Sequence, residues 1–239
     1  GARSSIRPDA SSATRSRRCA TSSPRPHATC SPSSATGPSA WRAFRENAED
    51  IERLLTLHQS EGGSGPGRRV GLEVLNKSAI VLITSYWEAY CEDIVSEGIA
   101  KIVDNAPSAA KLPSELKKLV AKELKSDPHE LRIWDLSDGG WRDVLKKRLA
   151  DLQEKRNRKL NTPKSENIIT LFNEGLGIVD VSASWQWHPT MTSERARSKL
   201  DKYVDLRNKI AHRGHAVGSV KKHHVVDFFK FIKHVVSLT

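Results

Sequence analysis

Apolar residues return at helical spacing over most of the chain, and nowhere do they alternate with polar residues as a half-buried strand requires. From Trp41 to Gln59, Phe44, Ile51, Leu54, Leu55 and His58 recur at intervals of three, four and seven and predict a helix. The glycine-rich run Glu61–Gly67 ends it. Val70 to Val103 predicts one long helix, free of proline and with glycine only at Gly71 and Gly98. Leu72, Leu75, Ile80, Ile83, Tyr86, Trp87, Tyr90, Ile94 and Ile99 cover nearly every face of it, which places it at the centre of a bundle.

Pro107 and Pro113 bracket a break, after which Ser114 to Lys125 is a basic amphipathic helix. Asp127-Pro128 and Asp138-Gly139-Gly140 mark turns. Trp141 to Arg158 carries Val144, Leu145, Leu149 and Leu152 on one helical face. Thr162-Pro163 predicts a helix start with proline at the first helical position, continuing through Ile168 to Leu176 and ending at Gly177. Residues 180–192 predict a loop holding Trp185, Trp187 and Pro189. Thr192 or Ser193 caps a helix from Glu194 to the region of Arg213. Gly214 and Gly218 interrupt the chain before a last helix, Val220 to Leu238. The fold class is therefore all-α, without internal repeats.

Composition changes this picture at one end. Hydrophobic residues are only 37% of the 239 residues, and the deficit is concentrated in residues 1–40, which are rich in Ser, Ala, Pro, Thr and Arg. Such a segment cannot bury enough surface to offset its ordering entropy. We expect a disordered extension over 1–40 and a helical domain over 41–239. The extension has the Arg- and Ser-rich, acid-poor look of a transit peptide, but its prolines spoil an amphipathic helix. The chain opens on Gly1 and its only methionine is Met191, so its start is expected to be processed, truncated or tagged.

The net charge of +11 attracts polyanions, of which nucleic acid is the commonest. Much of that excess comes from Arg3, Arg7, Arg15, Arg17, Arg18 and Arg25 against Asp9, so the helical part is only moderately basic. Cys19, Cys30 and Cys91 are odd in number and irregularly spaced, which argues against a disulfide framework or a zinc site and favours a reducing, cytoplasmic setting. No apolar run reaches the length of a membrane span. Gly62 to Gly67 lacks the Lys-Ser/Thr of a P-loop. Neither a metal nor a cofactor is expected.

The candidate chemistry lies in Arg207-Asn208-Lys209-Ile210-Ala211-His212. On a helix, Tyr203, Val204, Arg207, Ile210 and Ala211 share the face of Leu200. Arg207 thus falls within an apolar stripe, where an unpaired guanidinium is costly and calls for an acidic or phosphate partner. Asn208 and His212, four apart, stack on one flank, where Asn208 could orient the imidazole. Glu88 is the best candidate for the anion, because Val81, Thr84, Cys91 and Val95 make its surroundings largely apolar. Glu92 and Asp93 are the alternatives, and Glu92 is expected to be solvated. A buried structural Arg paired with a carboxylate would carry the same pattern.

These residues resemble a known family. Arg207 to His212, followed by Arg213-Gly214 near the end of a helical bundle, is similar to the Arg-(Asn/His/Asp)-x-x-x-His signature of HEPN domains. Ile83 to Ile94, Asn161 to Phe172 with Leu176-Gly177-Ile178, and Leu200 to Arg207 resemble the RiboL-PSP type of HEPN in order and spacing. The resemblance implies a bundle that dimerises with two motif helices face to face, and metal-independent cleavage of RNA. That chemistry needs a base, an acid and positive charge on the phosphorane. His212 suits the proton transfers and Arg207 the phosphate. One chain supplies a single motif histidine, so a composite site of two chains is expected, with Arg207, His212, Asn208 and Glu88 as its catalytic residues.

Lys209, Arg213, Lys221 and Lys222 are the candidate RNA contacts around the motif. Lys146-Lys147-Arg148 and Lys155-Arg156-Asn157-Arg158-Lys159 could line an RNA path, although such runs are often solvated helix faces. Trp185 and Trp187 either stack on unpaired bases or, more commonly, pack onto the bundle. The leading expectation is a HEPN endoribonuclease acting as a toxin or in anti-phage defence, with RNA, a second copy and an antitoxin protein as partners. The alternative is a non-catalytic module that binds RNA or a protein.

Overall fold

Helix formation follows the apolar spacing along nearly the whole chain. The computed structural model describes residues 37–62, 71–158, 162–213 and 218–239, with the side chains of residues 62, 153, 155–158 and 213 outside that description. Residues 1–36 of the expected disordered extension, and the side chains of the run Lys155–Lys159, therefore lie outside the described residues. Among the described residues there are seven α-helices, three short 3-10 helices and no strand. The α-helices are α1 (Ser39–Gly62), α2 (Glu73–Asn105), α3 (Ser114–Lys125), α4 (Trp141–Arg158), α5 (Ser165–Leu176), α6 (Ser193–Arg213) and α7 (Lys222–Leu238). Residues 37–239 make one compact unit.

α2 is the spine. Its 33 residues span about 50 Å at 1.5 Å per residue. Trp87, Cys91, Ile80, Ile83, Val95 and Ile99 are all buried, on several faces of the helix, because α1, α4, α5, α6 and α7 each pack against it. An amphipathic helix would leave one broad side wet, whereas α2 leaves only a narrow strip through Ala89, Asp93, Ala100 and Asp104 exposed. Trp185 ends fully buried with its ring edge-on to Trp87, and its indole N–H donates to the Thr239 hydroxyl at 3.0 Å. Trp187 stacks on His234. Both tryptophans thus pack onto the bundle.

Small residues let α5 approach the spine. A Cβ on Gly175 would collide with Val95, and one on Gly98 would lie 2.8 Å from Leu176. Gly177 closes α5 in the left-handed conformation (φ 71°), its N–H donating to Asn173 O at 2.8 Å, as the expected glycine stop requires.

The start of α5 differs from expectation. Thr162 and Pro163 precede the helix, which begins at Ser165 with no cap from Lys164, the residue before it. The missing cap comes from another helix, as described below. α1 is capped in the same indirect way. The Glu97 carboxylate on α2 accepts from the backbone N–H of Ser39 (3.0 Å) and Ala40 (2.6 Å) and from the Ser39 hydroxyl. Between the two expected turns lies a 3-10 helix, Glu130–Leu136, and the expected loop over 180–192 opens with another, Val181–Ser184.

Candidate functional site

The motif helix α6 starts where Thr192 Oγ1 accepts from the Arg195 N–H at 3.4 Å, with Glu194 in its first turn facing the positive end of the helix dipole. Ala196, Leu200 and Val204 are completely buried. Tyr203 lies flat on Phe228 of α7, with ring centroids 4.1 Å apart, and Lys199 sits over Phe231. The apolar stripe read from the sequence is the buried face as far as Val204. Beyond it burial fades: Arg207 and Ile210 are half-buried, and Ala211 is exposed rather than on the covered stripe. The helix runs out past the edge of the bundle there, carrying the motif to a rim.

Arg207 is held but not neutralised. One of its terminal nitrogens donates to Asn208 Oδ1 at 3.1 Å. Its Nε is buried and has no hydrogen-bond partner among the described residues. A guanidinium has five N–H donors in a planar fork, so this one retains donors for an anion. The expected Asn208–His212 pairing is not among the described hydrogen bonds, since Asn208 serves Arg207 instead. Adjacent residues on a helix diverge by 100°, but the long arginine side chain folds back to its neighbour. His212 is exposed at the end of α6.

Glu88 lies on α2 in an electrostatically unusual position. Burial, and then the charge of Glu92 one turn away, push its carboxyl up to about 7, and the positive charge of Arg207 pulls the other way without prevailing. The two residues feel each other's charge, yet no contact ion pair between them is present among the described residues. Glu88 thus titrates far above the ordinary carboxylate range, and no contact with it ties up the Arg207 guanidinium. Glu92 departs from expectation: it is half-buried, not solvated, and lines a cleft of about 30 Å³ with Glu88, Thr162, Pro163, Asn167, Ile168 and Leu171. α5 folds over the spine at that point, which sequence spacing along α2 alone does not reveal. Asp93 is exposed.

α5 connects this cleft to the motif helix. The N–H and hydroxyl of Ser165 donate to the two carboxylate oxygens of Asp201 on α6, at 2.8 and 2.9 Å. One turn further along α6, Asp205 pairs with Lys164 at 2.8 Å. These four residues did not stand out as functional in the sequence. The available signal was the pair of aspartates four apart on one helix, beside a helix start with no cap of its own.

Among the basic candidates, Lys209 and Lys221 are exposed and Lys222 is half-buried, while the Arg213 side chain lies outside the described residues. α7 begins at the end of the bundle where α6 finishes. There His224 Nδ1 accepts from the Lys221 N–H at 3.3 Å, and burial, with the neighbouring His223 and Lys221, holds the His224 imidazole below its usual range. Lys146 and Lys147 are exposed, but Arg148 does not join them in an RNA path. It is buried, paired with Glu123 and donating to the Glu174 carbonyl, and so it ties α4 to α3 and α5. Larger grooves lie elsewhere, including one of about 580 Å³ lined by Trp41, Phe44, Glu49 and Val236, which shares no residue with the motif. Among the described residues, no helix is long and apolar enough to cross a membrane.

The chain is thus an all-helical bundle that carries an Arg-Asn-x-x-x-His turn near the end of its penultimate α-helix. The family model of the RiboL-PSP-HEPN domain matches residues 45–239, and the chain belongs to that family. HEPN domains are often ribonucleases or RNA-binding modules. No curated protein and no solved structure matches the chain.

Proposed function

We propose that this protein is a metal-independent endoribonuclease whose active site is composed by two chains. The observation that carries the proposal is Arg207: a guanidinium half-buried at the rim, steadied by Asn208 through one terminal nitrogen, with no carboxylate in contact with it among the described residues. A scissile phosphate can accept from the terminal N–H donors that Asn208 leaves unused. In the reaction, the 2′-oxygen of RNA attacks phosphorus as the bond to the 5′-oxygen breaks. One group takes the 2′-hydroxyl proton and another gives a proton to the leaving 5′-oxygen, and a 2′,3′-cyclic phosphate remains. His212 of one chain and His212 of a second copy fill these two roles. Arg207 stabilises the charge on the phosphorane. Glu88, titrating near neutrality beside it, is the third catalytic member and can pass a proton without a large energetic penalty. Lys209, Arg213, Lys221 and Lys222 hold the flanking phosphates.

Purified protein should cut single-stranded RNA in the presence of EDTA and leave a cyclic phosphate end. His212→Ala and Arg207→Ala should each abolish cleavage with the fold retained by circular dichroism. Unchanged cleavage in both variants ends the proposal, and salt-sensitive RNA binding without cleavage selects a non-catalytic binding module in its place. We place the activity in the cytoplasm, in a toxin–antitoxin or anti-phage setting, where an antitoxin protein would restrain it. Co-purification of a tightly bound partner from the native operon tests that setting.

A further inference from the structure

The apolar stripe of α6 drives it onto the bundle but does not define its rotation sharply, because hydrophobic contact is non-directional. Leu200, Val204 and Arg207 cluster on one side of the helix wheel, and Asp201 and Asp205 lie about 100° away on its flank. That flank makes the directional contacts. Asp201 receives both donors of Ser165, and Asp205 pairs with Lys164. Ser165 opens α5, and the residues on either side of it, Thr162, Pro163, Asn167 and Ile168, line the cleft that holds Glu88. The start of α5 is therefore bonded to the motif helix on one side and lines, on the other, the cleft that Glu88 also lines. Asp201 also serves as the N-terminal cap that α5 lacks locally, with its negative charge at the positive end of the helix dipole.

We infer that Asp201 and Ser165 are positioning residues, whose paired hydrogen bonds set the rotation and height of α6 so that Arg207 is presented beside Glu88. The inference rests on the ribonuclease reading only for what Arg207 does once it is there. Asp201 touches none of the reacting atoms, since it sits six residues, or about 9 Å along the axis, from Arg207. Its loss acts through the arginine. Among the described residues, the groups that face Glu88 are Glu92 and the Cys91 thiol on its own helix, Arg207 on α6, and the uncharged Thr162 and Asn167 at the start of α5.

The test uses the full chain with carbon-13-labelled glutamate, and follows the titration of Glu88 by NMR together with RNA cleavage. Four variants are compared: Asp201→Asn, Ser165→Ala, Arg207→Gln and Glu97→Gln. Arg207→Gln defines how far the Glu88 midpoint moves when the guanidinium is gone. Glu97→Gln breaks a comparable interhelical cap remote from the motif and serves as the purely structural control. We expect Asp201→Asn to shift the Glu88 midpoint from about 7 toward the Arg207→Gln value, with kcat lowered on the order of tenfold to a hundredfold and KM little changed. Glu97→Gln should lower the melting temperature and leave both the midpoint and kcat in place. Ser165→Ala, which removes only the hydroxyl bond, should give a smaller shift in the same direction and stands in if Asp201→Asn does not fold. A Glu88 midpoint unmoved in both Asp201→Asn and Ser165→Ala overturns the inference. A midpoint that moves in a wild-type background that never cleaves RNA upholds the positioning role and removes the ribonuclease reading, so the two are separable.

Discussion

Replacing Arg207 by methionine separates a functional arginine from a structural one. A structural ion pair stabilises the fold, and breaking it costs stability, because the partner charge is left buried. Arg207 is arranged otherwise. Its Nε is buried without a partner, and leaving such a donor unsatisfied costs about 1–3 kcal/mol. Its one described hydrogen bond, to Asn208, returns about 0.5–1.5 kcal/mol. Loss of the guanidinium costs Glu88 little stability, because the carboxyl, already at about 7 with the arginine present, then titrates higher and takes up a proton at small cost. Methionine matches the length of the apolar stem and fills the same stripe without the donors. Because Arg207 is only half-buried, the lower end of the range applies, the two contributions nearly cancel, and the methionine variant is expected to stay within about 0.5 kcal/mol of the wild type. For a domain of this size that is a change in melting temperature of no more than about 2 °C, together with complete loss of RNA cleavage. Differential scanning calorimetry at pH 7 and low salt measures the first, and a cleavage assay the second. A methionine variant destabilised by more than about 1 kcal/mol, with its melting temperature lowered, would refute the reasoning and make Arg207 a structural partner of Glu88.

Three further outcomes are expected. Glu88→Gln should stabilise the protein increasingly as pH rises: the folded carboxyl titrates at about 7 and the unfolded one near about 4.3, so the wild type loses stability across that interval and the variant does not, as urea unfolding at pH 4, 6 and 8 will reveal. Glu97→Gln has the opposite pH dependence. The hydrogen bonds from Ser39 and Ala40 hold Glu97 below the ordinary carboxylate range, so the wild type's advantage of about 1 kcal/mol should be full above about pH 4.3 and disappear as pH falls through the folded value. Gly175→Ala should destabilise by about 1–3 kcal/mol, because its methyl group collides with Val95 on the spine; an unchanged urea midpoint would mean that α5 shifts freely.

The helical pattern and the motif were legible in the chain because they are local properties. Apolar periodicity identifies α1 to α7 within a few residues, and the all-round apolar face of α2 announces a central helix, since a helix must bury whatever it cannot hydrate. Arg207 stood out for the same reason, as a charge on an apolar stripe. What required the tertiary structure is every quantity set by a second helix. Whether Glu92 is solvated depends on α5 crossing above it. Whether Arg148 faces RNA depends on Glu123, from a helix more than twenty residues away in the chain. The cap of α5 comes from Asp201 and that of α1 from Glu97, and neither lies near the residues it caps in the chain. The titration of Glu88 and the unpaired Nε of Arg207 are likewise consequences of packing, because burial and distance between helices, not order along the chain, determine the electrostatics of a side chain.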